Sequence, residues 1–170
     1  MKAIVYKTNT GSTKRYADML AKETGLPVYE LCEAVKKLEK SSEIIYLGWL
    51  MAGSIKGYKK ALKQFKPLAV CAVGIAFPTE EYKAQLKKIN KIEGANLYLM
   101  QGSYDINKLR GLNKLAMKMM SSAMCKKLEA KADKTEQELK EYEIYKNGCD
   151  LVSPDNLKNI IAWYKASISR

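Results

Sequence analysis

The sequence predicts an α/β domain built on a parallel sheet. Three observations point there. Five short strand-like runs alternate with helix-like segments, the run LAVCAVGIA at 68–76 is almost wholly apolar, and no internal repeat or flexible linker breaks the order. A strand that is apolar on both faces suits the middle of a parallel sheet with helices on either side. The 170 residues amount to about one domain, with chain enough to bury a real core.

Residues 2–7 (KAIVYK) read as the first strand, followed by the polar stretch TNTGST at 8–13. A helical segment then runs to about 24, with Ala17, Leu20 and Ala21 on one face and Tyr16 beside it, until Gly25 and Pro27 stop it. Residues 28–31 form a brief strand, 33–40 a short Lys/Glu-rich helix and 43–48 a buried strand. The stretch WLMAGSIKG at 49–57 reads as a loop, and Tyr58, Ala61, Leu62 and Phe65 then recur at helical spacing. Pro67 opens the next strand. Thr79 is placed to cap the following helix, with Glu80 and Glu81 at its positive end and Tyr82, Leu86 and Ile89 as its apolar stripe. Residues 95–100 are the fifth strand. Ser153, Pro154 and Asp155 suit the start of a last helix whose stripe is Leu157, Ile160, Ile161 and Tyr164.

Residues 103–150 stand outside this alternation, as an insertion between the fifth strand and the last helix of a single domain spanning 1–170. Within 112–131, Leu112, Leu115, Ala116, Met119, Met120, Ala123 and Leu128 form a stripe, with Lys114, Lys118, Lys126, Lys127 and Lys131 on the polar side. The stripe is expected to pack on the domain or on a second copy of the chain, as in a homodimer. The sharper alternative is peripheral contact with a membrane surface through this basic helix.

Composition narrows the chemistry. Four scattered cysteines (Cys32, Cys71, Cys125 and Cys149) make no C-x-x-C, and histidine is absent. A zinc or iron–sulfur site is therefore not expected, and Cys71 reads as core. No apolar run reaches the roughly 18 residues of a membrane span. The N-terminus lacks the apolar length and cleavage pattern of a signal peptide, so the expected compartment is the cytoplasm, with the inner membrane face as its periphery. A formal charge of +12 favours anionic partners. Nucleic acid is not expected, because no aromatic–basic motif or recognised module accompanies the charge.

The stretch Thr8, Asn9, Thr10, Gly11, Ser12 and Thr13 carries the functional signal. It lies between a first strand and a first helix, where open α/β sheets bind ligands. A helix N-terminus there offers backbone N–H groups and a positive dipole end. Four hydroxyl side chains add donors, and Gly11 permits close backbone approach. The plain alternative is a hydroxyl-rich loop that only caps a helix. The G-x-G-x-x-G and Gly-Lys-Ser/Thr patterns are absent from it.

Thr8, Thr10, Gly11 and Thr13 match the phosphate-loop pattern T/S-x-T-G-x-T of flavodoxins at every fixed position. The chain resembles that family in element order over most of its length. The resemblance implies a flavodoxin-like three-layer sandwich with a five-stranded parallel sheet in the order 2-1-3-4-5. It implies FMN as cofactor, with residues 8–13 around its phosphate. The loops after the third and fourth strands would flank the flavin ring: Trp49, Leu50, Met51, Ala52, Gly53 and Ser54 in the first, Ala76, Phe77 and Pro78 in the second. Trp49 either lines the ring or anchors its loop in the core. Gly102 and Tyr104 are further ring-edge candidates. The basic charge, the insertion, the stretch from Gly48 to Tyr58 and QGSYDINKL at 101–109 look more like the flavodoxin-like protoporphyrinogen dehydrogenases of bacteria. The implied function is electron transfer with a redox partner protein or a small anionic substrate. An FMN-dependent oxidoreductase of the protoporphyrinogen type and a flavin-free interaction module are the alternatives. No residue stands out as a catalytic acid or base.

Overall fold

In the computed structural model, which describes residues 1–169, the chain runs β1 (Ala3–Lys7), α1 (Ser12–Thr24), β2 (Val28–Glu30), α2 (Leu31–Lys37), β3 (Glu43–Met51), β4 (Ser54–Ile55), α3 (Tyr58–Gln64), β5 (Lys66–Gly74), α4 (Glu80–Asn90) and β6 (Asn96–Gln101). It continues through β7 (Ser103–Tyr104), α5 (Gly111–Glu129), α6 (Glu136–Asn147) and β8 (Cys149–Asp150), and ends on a 3-10 turn (Pro154–Leu157) and α7 (Lys158–Ile168). These elements form two units: residues 1–102 with the stretch from Val152 onward, and Ser103–Leu151.

The first unit is a three-layer α/β sandwich. Its main sheet has the order β2-β1-β3-β5-β6, all parallel, and these five strands are the predicted five in the predicted order. Strand alternation divides the core. Ala3, Val5, Ile44, Tyr46, Val70, Ala72 and Leu97 face Leu31 and Ala34 of α2, Tyr58 and Ala61 of α3, and Leu86 of α4. Ile4, Ile45, Leu47, Ala69, Cys71, Val73 and Met100 face Tyr16, Ala17 and Leu20 of α1, together with Leu157, Ile160 and Tyr164. Each large side chain sealed there contributes about 1.5–3 kcal/mol. Cys71 is wholly buried, and burial pushes its thiol pKa up.

Four details depart from the sequence reading. The stretch 49–57 is not an open loop: β3 continues to Met51, and β4 returns antiparallel, pairing Met51 with Ser54 and Leu50 with Ile55. Ala52 and Gly53 turn this hairpin with positive φ at both positions (47° and 74°), which the strand twist favours in a two-residue connection. β5 opens one residue earlier, at Lys66, with Pro67 second and opposite Ile44 where the pairing shifts register. Ile89 is 46% exposed, and Asn90 is buried instead. The last helix is entered through the 3-10 turn, where the Ser153 hydroxyl accepts from Asp155 N as the capping argument requires.

In the second unit, β7 and β8 pair antiparallel and α5 lies against α6. The stripe expected to pack is not the one that does. Leu112, Leu115, Met119 and Met120 are exposed, Leu112 by 84%, as are Ala116 and Ala123. Of the expected stripe only Leu128 is buried; the other buried residue of α5 is Ser121, outside the stripe, and Ile144 is buried on α6. The acidic stretch after α5 is itself helical and is the element packed against α5. Thr135 starts α6 with a capping box closed by Glu138. No helix among the described residues is long and apolar enough to cross a membrane.

Candidate functional site at the carboxyl edge of the sheet

The loop 8–13 leaves the carboxyl end of β1 and turns directly into α1. Gly11 makes the turn with φ 104°, and its N–H donates to the Thr8 hydroxyl at 3.1 Å, so the loop is folded on itself. No side chain caps α1 at Gly11. The positive end of a 13-residue helix therefore opens onto the loop. Ser12 and Thr13 are buried, Thr10 is half-buried and Asn9 is exposed. The first cation after the loop is engaged elsewhere, because Lys14 donates to Asp18 at 2.6 Å. A phosphate here would be held by backbone N–H groups, hydroxyls and the helix dipole rather than by that lysine.

The strand ends crowd in beside this loop. Gly102 donates to the Gly74 carbonyl at 2.7 Å. A Cβ on Gly102 would meet Val73 at 3.1 Å and the Ser12 Cβ at 3.5 Å, so a side chain there would press on Val73 where β6 ends beside the loop. Next to it, Gln101 keeps a buried side-chain Nε2 without a hydrogen-bond partner. Donors of that kind call for an acceptor. Tyr16, wholly buried, ties the edge together: its hydroxyl donates to the Gln101 carbonyl at 2.5 Å and accepts from Asn156 Nδ2 at 2.6 Å.

The other expected residues are distributed as follows. Trp49, Leu50 and Met51 end β3, Ala52 and Gly53 form the hairpin turn, and Ser54 starts β4. Leu50 leans towards β5, since a Cβ on Gly74 would meet its side chain at 3.0 Å. Trp49 is half-buried with Lys56 Nζ 6.0 Å from its ring centre, so it is not a core anchor. Ala76 and Pro78 are exposed and Phe77 half-buried, just before Thr79 caps α4 by accepting from Tyr82 N at 3.1 Å. Tyr104 belongs to the second unit, where it pairs with Cys149. It lines a cleft of about 420 Å³ there, with Lys118, Ser122, Cys125 and Lys146.

Two features of the edge escaped the sequence reading. Asn90, at the end of α4, clamps the hairpin: its Oδ1 accepts from Ile55 N at 2.8 Å and its Nδ2 donates to the Gly53 carbonyl at 2.8 Å. A cleft of about 320 Å³ lies between the starts of α2 and α3, lined by Lys7, Leu31, Cys32, Trp49, Lys56 and Lys60. Neither has a local signature, since each joins residues brought together only by strand pairing. Among the described residues no group of His, Cys, Asp or Glu could hold a metal, and all four cysteines are free.

Comparison with protein families matches residues 3–133 to the flavodoxin domain. Comparisons with curated proteins and with solved structures find no match.

Proposed function

The chain belongs to the flavodoxin-domain family, and from that premise we propose that it binds FMN and serves as a redox protein, exchanging electrons with a partner protein or a small anionic substrate. The observation that carries this reading is the uncapped start of α1 at Gly11, beneath a loop rich in hydroxyls. The residues present fit the cofactor. Thr8, Thr10, Ser12 and Thr13 supply donors for a phosphomonoester, and Gly11 supplies the turn. Gly102 keeps the neighbouring strand end free of a side chain. FMN, when bound, supplies one- and two-electron transfer chemistry; the protein's part is to hold it, orient it and set its surroundings.

The hairpin of β3 and β4 and the segment from Ala76 to Pro78 are the elements that would flank the ring. The hairpin is held by Asn90 before any ligand arrives. Such preorganisation reduces the ordering cost of binding. Histidine is absent from the chain, so no imidazole is available as an acid or base, and the lysines are left to orient anions.

The test is a fluorescence and absorbance titration of the flavin-free protein with FMN, with riboflavin in parallel. Saturation near one FMN per chain, with riboflavin much weaker, supports the reading. A folded protein that binds neither returns the loop to a capping role.

A further inference from the structure

The cleft between the starts of α2 and α3 is built without any residue of the loop 8–13. Its floor is rigid. Gly57, with φ 84°, sits so close to its neighbours that a Cβ there would come within 3.0 Å of Leu31 Cδ2 and overlap the Tyr46 hydroxyl. Tyr46 donates that hydroxyl to the Lys56 carbonyl at 2.7 Å, and Lys56 N donates to the Trp49 carbonyl at 3.0 Å. The backbone of Lys56 is thus fixed from both sides. Leu31 and the indole of Trp49 supply its large apolar lining.

The charges are uneven. Lys7 is matched by Glu30 at 2.9 Å, and Glu33, beside Cys32, is drawn off by Lys37 at 2.8 Å. Lys56 and Lys60 have no carboxylate partner among the described residues; Lys56 instead lies over the Trp49 ring. Two uncompensated ammonium groups therefore stand at a cleft with an aromatic wall. Its volume is at the small end for ligand pockets, room for one or two fused rings.

We propose that this cleft is a binding site for a small planar aromatic anion, its ring against Trp49 and Leu31 and its carboxylate, sulfonate or phosphate group between Lys56 and Lys60. The site is separate from the phosphate loop and shares only Trp49 with the elements proposed to flank the flavin ring.

Cys32 reports on occupancy, because its exposed thiol lines the cleft. The full-length protein would be alkylated with iodoacetamide in the presence of 2-naphthoate, 2-naphthamide or inorganic phosphate. Peptide mass spectrometry would follow Cys32, with Cys125 and Cys149 as internal references. Calorimetry would give the affinity for 2-naphthoate in the wild type and in Lys56→Gln/Lys60→Gln, with melting curves to confirm that the variant is folded. The expected result is sub-millimolar binding of 2-naphthoate, with Cys32 alone slowed several-fold. Naphthamide and phosphate should protect far less. The double variant should bind about 5- to 10-fold more weakly, as fits two solvent-exposed ion pairs. Equal protection by naphthamide, no protection by naphthoate, or affinity unchanged in the variant would each overturn the proposal. Loss of naphthoate binding after loading with FMN would overturn it too, by making the cleft part of the cofactor site.

Discussion

Asn90 holds Gly53: the last residue of α4 donates its amide to the carbonyl at the turn of the β3–β4 hairpin, at 2.8 Å. The same side chain accepts from Ile55 N at 2.8 Å and donates to Leu86 O at 2.9 Å, so its one oxygen and both N–H bonds face backbone in a site that is 6% exposed. A buried amide placed this way sets the position of the hairpin relative to α4. Asn90→Ala removes it and leaves the buried Ile55 N–H without its acceptor. Destabilisation of about 2–3 kcal/mol is expected, since a buried unsatisfied group carries a desolvation penalty in addition to the lost bond. Urea unfolding measures the loss. Hydrogen exchange should show the Ile55 amide losing more protection than the centres of β3 and β5. Uniform loss across the sheet would contradict the clamp.

Removing hydroxyls from the loop 8–13 should separate phosphate binding from ring binding. Thr10→Val/Thr13→Val keeps the shape of both side chains and removes two hydroxyls near the uncapped start of α1. Affinity for FMN should fall by about tenfold or more, because a hydrogen bond to a charged group is worth about 1.5–3 kcal/mol. Affinity for riboflavin, which lacks the phosphate, should change little. An equal loss for both ligands would mean that the hydroxyls only shape the loop.

Two glycines with similar backbones should respond differently to the same substitution. Gly25 has φ 70° and Gly57 φ 84°, both left-handed. A Cβ on Gly25 meets nothing within 4 Å, so Gly25→Ala carries only the cost of the left-handed conformation, about 1 kcal/mol. A Cβ on Gly57 meets the Tyr46 hydroxyl and Leu31, both buried in the core, and the Cβ of Lys7. Gly57→Ala should destabilise by about 3 kcal/mol or more and disturb the bond from Tyr46 to the Lys56 carbonyl. Chemical denaturation of the two variants side by side reads the difference directly.

The five parallel strands were legible because apolar runs and turn residues are local signals, whereas their order in the sheet followed only from the resemblance to flavodoxins. The place of the loop 8–13 between β1 and α1 was legible because Gly and hydroxyl residues between a strand and a helix are a local signal. The hairpin was not, for its turn is Ala52–Gly53 rather than the Asn-Gly or Asp-Gly that marks such turns, and Asn90 supports it from 37 residues away. The stripe of α5 misled for a related reason. Leu and Met outnumber the smaller residues on one face, yet Ser121 is inside while Leu112 is out. Lys56 and Lys60 carry no local signal of a site; pairing of β1 with β3 brings Lys7 and Trp49 beside them. Sequence periodicity shows which faces are apolar; it does not show what a neighbouring element leaves uncovered.

The start of α6 should be sensitive to acid. Glu138 receives Lys131 Nζ at 2.7 and 2.8 Å and the Thr135 N–H at 2.9 Å. Its pKa is lowered to about 2, first by the bond from Lys131 and then by that from the Thr135 backbone. A carboxyl whose folded pKa lies below its unfolded value stabilises the folded form above the unfolded value and loses that contribution as pH falls through the folded one. The window therefore runs from the ordinary carboxyl value of 4.5 down to about 2. Over that range amide protection in the first turn of α6 should decline in the wild type. In Glu138→Gln, protection there should already be reduced at neutral pH and should change less on acidification. Hydrogen exchange at Glu138 and Leu139, followed from pH 5 to pH 2 in both proteins, checks the sign. A variant that loses protection as steeply as the wild type would show that other carboxyl groups govern the end of this helix.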